Sequence, residues 1–192
     1  PAMPYTAEHK AQTRQRIIES AAHQLCEKGI GGGSVAELMK EAGLTHGGFY
    51  AHFGSKAALV AEAAAYALGA TTQMLDEAAE GAPPSRRLKA LVDTYVSRHH
   101  VAHPGEGCAI AALGPELSRE TPKTRKAFGR VLDKMISMVA SHTGARSEKA
   151  AREQAIATIA TMVGTIVMAR AVDDKDFANE ILKTGREAAL RH

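Results

Sequence analysis

The sequence predicts an all-α protein of about nine helices. Apolar residues recur at helical spacing, no run alternates convincingly with period two, and strong start and stop signals divide the chain along its length. Alanine is abundant, Trp is absent and aromatics make up only 4% of the 192 residues, a balance that favours helix over strand. Hydrophobic residues reach 45%, enough for a substantial core and too many for a disordered chain.

The first helix is expected over 7–28, with Ile17, Ile18, Ala21, Ala22 and Leu25 as its apolar stripe and Gly29 as its stop. Ser34-Val-Ala-Glu37 reads as a capping box opening a short second helix that ends at Gly43. Thr45 is expected to cap a short third helix and Ser55 a long fourth one reaching about Glu80, before the breaker Gly81-Ala-Pro-Pro84. A fifth helix is expected from Ser85 through about Ala102. His103-Pro-Gly-Glu-Gly107 then interrupts, a short helix follows from Cys108, and Gly114-Pro115 kinks or ends it. Thr121-Pro122 starts a seventh helix ending near Gly144, Ser147 caps an eighth to about Val172, and a ninth runs from about Asp174 to the end.

Bulk charge is weakly informative. The net charge is +3, and the first 56 residues hold six Lys/Arg against five acids, so any nucleic-acid function must rest on motif and placement. Cys26 and Cys108 make no disulfide framework and no secretory leader is apparent, so a cytoplasmic location is expected. Pro1 and Ala2, ahead of Met3, read as an addition before the natural start. The longest uncharged apolar stretch, 155–169, has 15 residues against the roughly 20 that a membrane span needs, so it reads as a buried helix. There is no phosphate loop after a strand, no supported carboxylate pair and no nucleophile elbow; Gly31-Gly-Gly33 lacks the lysine and the strand. An enzyme is not expected, and no cofactor is implied.

The informative stretch is SVAELMKEAGLTHGGFYAHFGSK, from Ser34 to Lys56. Two short helices joined at Gly43-Leu44 have the spacing of a helix-turn-helix. Val35, Leu38, Met39, Leu44, Phe49 and Phe53 can build a small core, with Phe49 and Phe53 on one side of the third helix. The opposite side centres on Gly48 and Ala51, flanked by Tyr50 and His52. Small residues there let backbone approach the floor of a major groove, which would explain two glycines, each costing about 1 kcal/mol in helix propensity. Thr45 and His46 stand where such motifs touch base edges; Tyr50, His52 and Lys56 are placed to reach phosphates.

With its long first helix, short capped second helix, Phe49-Tyr50, Phe53 and Gly54-Ser55-Lys56, the stretch over roughly 10–60 resembles the DNA-binding domain of the TetR family. The resemblance implies a DNA-binding domain over 1–56, a ligand-binding and dimerisation domain over 57–192, and DNA contacts from Ser34, Thr45, His46, Gly48, Tyr50, His52 and Lys56. Gly48 stands where the family commonly has Ser or Thr, which with Ala51 points to few base contacts and more reading of groove shape. It further implies a homodimer through the last two long helices, double-stranded DNA as partner, and repression relieved by a small effector, with corepression, in which the ligand favours the DNA-bound form, left open by the sequence. A helical ligand-binding module without DNA binding is the rival reading.

The eighth helix is apolar on nearly all sides over 156–167, and Ala157, Ala160, Thr161 and Gly164 permit close helix approach. By resemblance the effector pocket lies among the fourth to eighth helices. Its candidate lining is Tyr66, Tyr95, His99, Cys108, Phe128, Met135 and Met162, although core packing is the commoner fate of such residues. A small apolar or aromatic effector is expected. Cys108, at a helix start near His99, His100 and His103, invites a second reading as an electrophile or redox sensor, its thiol pKa lowered by the helix dipole. The same four residues match no closed zinc spacing, so no metal is expected.

Overall fold

The computed structural model describes residues 7–191; the reading of Pro1 and Ala2 lies outside them. Among the described residues there are nine α-helices and no strand. They are α1 (Ala7–Lys28), α2 (Val35–Glu41), α3 (Lys56–Glu80), α4 (Arg87–Tyr95), α5 (Arg98–Ala102), α6 (Ala109–Leu117), α7 (Pro122–Ser141), α8 (Glu148–Arg170) and α9 (Lys175–Ala189). Three 3₁₀ segments complete the chain, at His46–Ala51, Pro84–Arg86 and Pro104–Glu106.

Capping chemistry sets most of these boundaries as the sequence predicts. Ser34, Ser55, Thr121 and Ser147 each accept a hydrogen bond from a backbone N–H in the first turn they open, and Asp174 accepts two. Gly29, Gly43 and Gly144 have positive φ, each just past a helix end, where a side chain would be strained.

Two of the nine expected helices differ in kind. The third is 3₁₀ over His46–Ala51, because Gly47 and Gly48 give an α-helix little local support. Thr45 precedes it without a side-chain capping bond, contrary to expectation. The fifth divides at Val96-Ser97, where Val96 leaves helical geometry (ψ 73°) and Ser97 caps a new helix by accepting from His100 N–H. Tyr95 and Val96 before the break and His100 after it are all buried. Pro115 sits inside α6, which continues two residues further to Leu117.

One apolar core runs through the molecule, from Ile17 and Leu25 on α1 through Leu59 and Leu68 on α3 to Met162, Ile166 and Leu182 on α8 and α9. α7 runs beside α3 in the same direction: their first turns flank one crevice, and at their far ends His142 Nε2 meets Asp76 Oδ1 at 2.8 Å. α8 and α9 pack tightly, and a Cβ added to Gly185 would stand 2.1 Å from Thr165 Oγ1. Gly185 needs its small size within the chain, while Gly164, one of the residues expected to permit close helix approach, has open space beside it here. No helix among the described residues is long and apolar enough to cross a membrane.

Candidate nucleic-acid interface

The turn joining α2 to the 3₁₀ segment is built by backbone. Gly43 N–H donates to Lys40 O at 3.0 Å and Leu44 N–H to Met39 O at 2.9 Å, the paired bonds of a Schellman stop, with Gly43 at φ 74°. Arg16 of α1 adds a bond to Ala42 O at 3.2 Å, satisfying another carbonyl at that helix end. At the other end of α2 the capping box is complete. Glu37 N–H donates to Ser34 Oγ at 3.2 Å, and Ser34 N–H donates to Glu37 Oε2 at 2.7 Å. These bonds hold the Glu37 carboxyl below its ordinary range.

Beneath the 3₁₀ segment, Phe49 and Phe53 are buried and stacked, their ring centroids 5.7 Å apart. Arg14 lies over the Phe53 ring at 4.6 Å and reaches Glu62 of α3 at 2.6 Å, joining three elements. With its back packed, the segment turns Thr45, His46, Gly47, Tyr50 and Ala51 to solvent. Tyr50 is 69% exposed and meets His46 edge-on at 6.2 Å. Tyr50 thus stands open to solvent on a segment anchored from behind.

The remaining predicted contacts are placed differently. Ser34 is exposed, but its hydroxyl already serves the cap. Gly48 is half-buried, and with Lys10, Thr45, Ala51 and His52 it borders a hollow of about 310 Å³ floored by Met39 and Leu44. His52 is half-buried there; burial first, and then the nearby cations Lys10 and Arg14, push its pKa down, so it favours the neutral form. Lys56 Nζ donates to Ile30 O at 3.1 Å and Gly33 O at 2.8 Å, clamping the loop that leads into α2. Glu116 of α6 accepts from Ile30 N–H at 2.9 Å and grips the same loop from the other side. Sequence reasoning missed Arg14, Arg16 and Glu116 as positioning residues. Their partners lie 26 to 86 positions away, beyond any local signal.

The seven pocket candidates do not surround one cavity. Phe128, Met135 and Met162 are core residues and border none of the hollows described here. Tyr66, on the surface, borders a hollow of about 230 Å³ with Glu19, His23 and Met74. His99 and Cys108 border an adjoining one of about 110 Å³.

Tyr95 and Cys108 are fully buried against His100. His100 Nδ1 meets Tyr95 O at 2.8 Å, and Cys108 N–H donates to His100 Nε2 at 3.0 Å, so one neutral tautomer satisfies both. Burial holds the His100 pKa down to about 4. Arg170 of α8 donates to His100 O at 2.5 Å. The expected lowering of the Cys108 pKa is reversed: desolvation outweighs the dipole and the Tyr95 contact and pushes the thiol up. With both ring nitrogens of His100 committed to backbone, the His/Cys cluster cannot converge on a metal. Among the described residues no group of three or more His, Cys, Asp or Glu could hold one.

Comparison with known proteins agrees with this geometry. Residues 17–63 match the family model for bacterial regulatory proteins of the TetR family, a span that takes in the core of α1, the turn, the 3₁₀ segment and the start of α3. The chain belongs to the TetR family.

TetR-family likeness extends beyond that span. An HTH-type transcriptional regulator of Mycobacterium tuberculosis is 28% identical over 166 residues, 82% of this chain and 84% of the relative. The HTH-type transcriptional repressor DhaR of Mycobacterium sp. strain GP1 is 26% identical over 66% of this chain and 63% of its own. Among solved structures, the reduced form of E. coli NemR superposes with TM-score 0.77 at 20% identity, over 93% of this chain and 95% of that one. A TetR regulator from Chloroflexus aurantiacus gives 0.76 at 21%, over 96% and 98%. At such identity the structures show a shared all-α fold. The protein is a TetR-family transcriptional regulator with a helix-turn-helix DNA-binding domain.

Proposed function

We propose that this protein is a homodimeric repressor that holds a near-palindromic operator and releases it on binding a small effector. The observation that carries the reading is the 3₁₀ segment: Thr45, His46 and Tyr50 face outward from a backbone fixed behind by stacked phenylalanines, a Schellman turn and the Lys56 clamp. Thr45 and His46 read base edges. Gly48 and Ala51 allow close approach to the groove floor, and Tyr50 and Lys10 take phosphates. Ser34, His52 and Lys56 complete the contact set; Lys56 acts chiefly by holding the loop before α2.

Dimerisation is supported by the apolar surface left on the last two long helices. Ile156, Val167, Met168 and Phe177 are each 45–57% exposed. A second copy covering them would place two recognition segments on one face, about 34–36 Å apart for successive major grooves. The named repressor among the relatives supports the negative sign of regulation. Effector release needs a coupling of only about 1–3 kcal/mol between the body over 57–192 and the reading head over 1–56.

The test is selection of bound fragments from source DNA, followed by footprinting across a salt series. A protected near-palindrome, with affinity falling steeply as salt rises, is the expected result. Absence of enrichment at low salt, with the protein monomeric by sedimentation, would reject the reading.

A further inference from the structure

The most positive part of the molecule lies outside the helix-turn-helix. From Arg119 to Lys134 there are six Lys/Arg against Glu120 and Asp133, a surplus of four in a chain whose total is +3. Asp133 is already paired with Arg152 at 2.6 Å. Lys123, Lys126 and Arg130 are exposed, and none has an ion pair or side-chain hydrogen bond among the described residues. With Ala127 they occupy positions i, i+3, i+4 and i+7 of α7, a single stripe. That stripe forms one wall of a crevice of about 550 Å³, within the size range of small-molecule sites. The opposite wall is the first turns of α3, where Ala57, Ala58 and Ala61 supply an apolar lining. The acid bordering the crevice, Glu62, is already bonded to Arg14.

We propose that this α3/α7 crevice is the effector site and that its ligand is a small amphipathic anion, an acyl-type carboxylate or phosphate ester. Lys123, Lys126 and Arg130 take the head, and the alanines take the apolar body. The body agrees with the apolar effector expected from sequence; the head is added by the unpaired cations. A DNA backbone would use the cations but not the apolar wall, and the surface expected to meet a second copy lies on α8 and α9. The inference rests on the operator reading only for its regulatory consequence.

That consequence runs through Glu62. The bound anion competes with the Glu62 carboxylate for the Arg14 guanidinium and so weakens the bond between them. Arg14 lies over Phe53, directly beneath the recognition segment, so loosening that bond disturbs the reading head. The ligand therefore favours the state that does not fit the operator.

Calorimetric titration of the full chain with octanoate and with octyl phosphate tests the site, with 1-octanol as the uncharged chain and inorganic phosphate as the head alone. Saturable binding of at least one amphipathic anion is expected, with both controls at least about tenfold weaker. Lys126→Ala with Arg130→Ala should weaken it by about tenfold or more, and Ala61→Leu, which fills the crevice, should weaken it comparably. Glu62→Gln should keep probe binding while abolishing the effect of probe on operator affinity. No saturable binding of either anion at millimolar concentration would overturn the proposal, as would binding indifferent to Lys126, Arg130 and Ala61. A shallower salt dependence of operator affinity in the Lys126/Arg130 variant would assign the patch to DNA and also overturn it. Operator binding without probe is read separately, so a failed crevice and a failed repressor reading give different results.

Discussion

The recognition segment around 45–52 and the bend around 95–108 are made of similar materials and built in opposite ways. Each is a break in regular helix containing glycine, histidine and tyrosine. At the bend, Tyr95, His100 and Cys108 are buried, and both His100 nitrogens are bonded to backbone. At the recognition segment, Tyr50 and His46 are exposed and Thr45 makes no capping bond. Polar groups whose partners are all internal stabilise a fold; polar groups held firmly without internal partners are available to another molecule. The glycines repeat the contrast. A Cβ on Gly107 would stand 2.7 Å from His100 Cδ2 and 2.8 Å from Arg170 Nη2, whereas one on Gly48 meets nothing closer than 3.6 Å.

The sharpest way to break this comparison is through pH. His100 titrates near 4 in the fold against an ordinary 6.5, so the folded state favours its neutral form. Its contribution is complete above about pH 6.5 and is lost as pH falls toward 4, amounting at most to about 3 kcal/mol. In urea unfolding, the stability gap between wild type and His100→Ala should shrink over that window. A gap constant from pH 7.5 to 4.5 would show that the ring is not held neutral. Gly107→Ala, pressing on the same ring, should cost about 2–3 kcal/mol in the same assay.

At the recognition segment the prediction reverses. Tyr50→Ala should leave the unfolding midpoint within about 0.5 kcal/mol of wild type while weakening operator binding by about 10- to 30-fold in a mobility-shift titration. Gly48→Ala should stabilise the fold by about 0.5–1 kcal/mol, since the Cβ finds ordinary van der Waals space and alanine favours helix, and should weaken operator binding. A destabilised Gly48→Ala protein would erase the distinction between the two regions. The smallest expected effect is at Cys108, where a buried thiol with a raised pKa should react slowly with iodoacetamide in the native protein and readily in denaturant. Rapid native alkylation with loss of operator binding would restore the sensor reading.

Much of the fold was legible because its signals are local. The caps at Ser34, Ser55, Thr121, Ser147 and Asp174 and the stops at Gly29 and Gly43 act within four or five residues of themselves. The break at Val96-Ser97 was not legible, because the contacts that accompany it, Arg170 to His100 O and Cys108 N–H to His100 Nε2, come from α8 and from the far side of the bend. Pocket candidates drawn from aromatic and sulfur residues fell mostly in the core, because size and apolarity record burial without recording whether space remains alongside. Tyr50 and Ala51 face outward as helical spacing predicts, whereas Gly48 and His52 are half-buried on the 3₁₀ segment, and the bonds that hold it rigid have no local signal.

By itself, the sequence determined the helical class, most helix ends, the turn at Gly43-Leu44 and the helix-turn-helix stretch, since each is encoded by neighbours along the chain. Tertiary structure decided that Lys56 clamps a loop, that Arg14 joins α1 to α3 over the Phe53 ring, that Cys108 is sealed, and that the cations of α7 face an apolar wall. Each of these depends on two or more segments meeting across tens of residues, and electrostatic and desolvation energies are set by those meetings rather than by the identity of any one side chain.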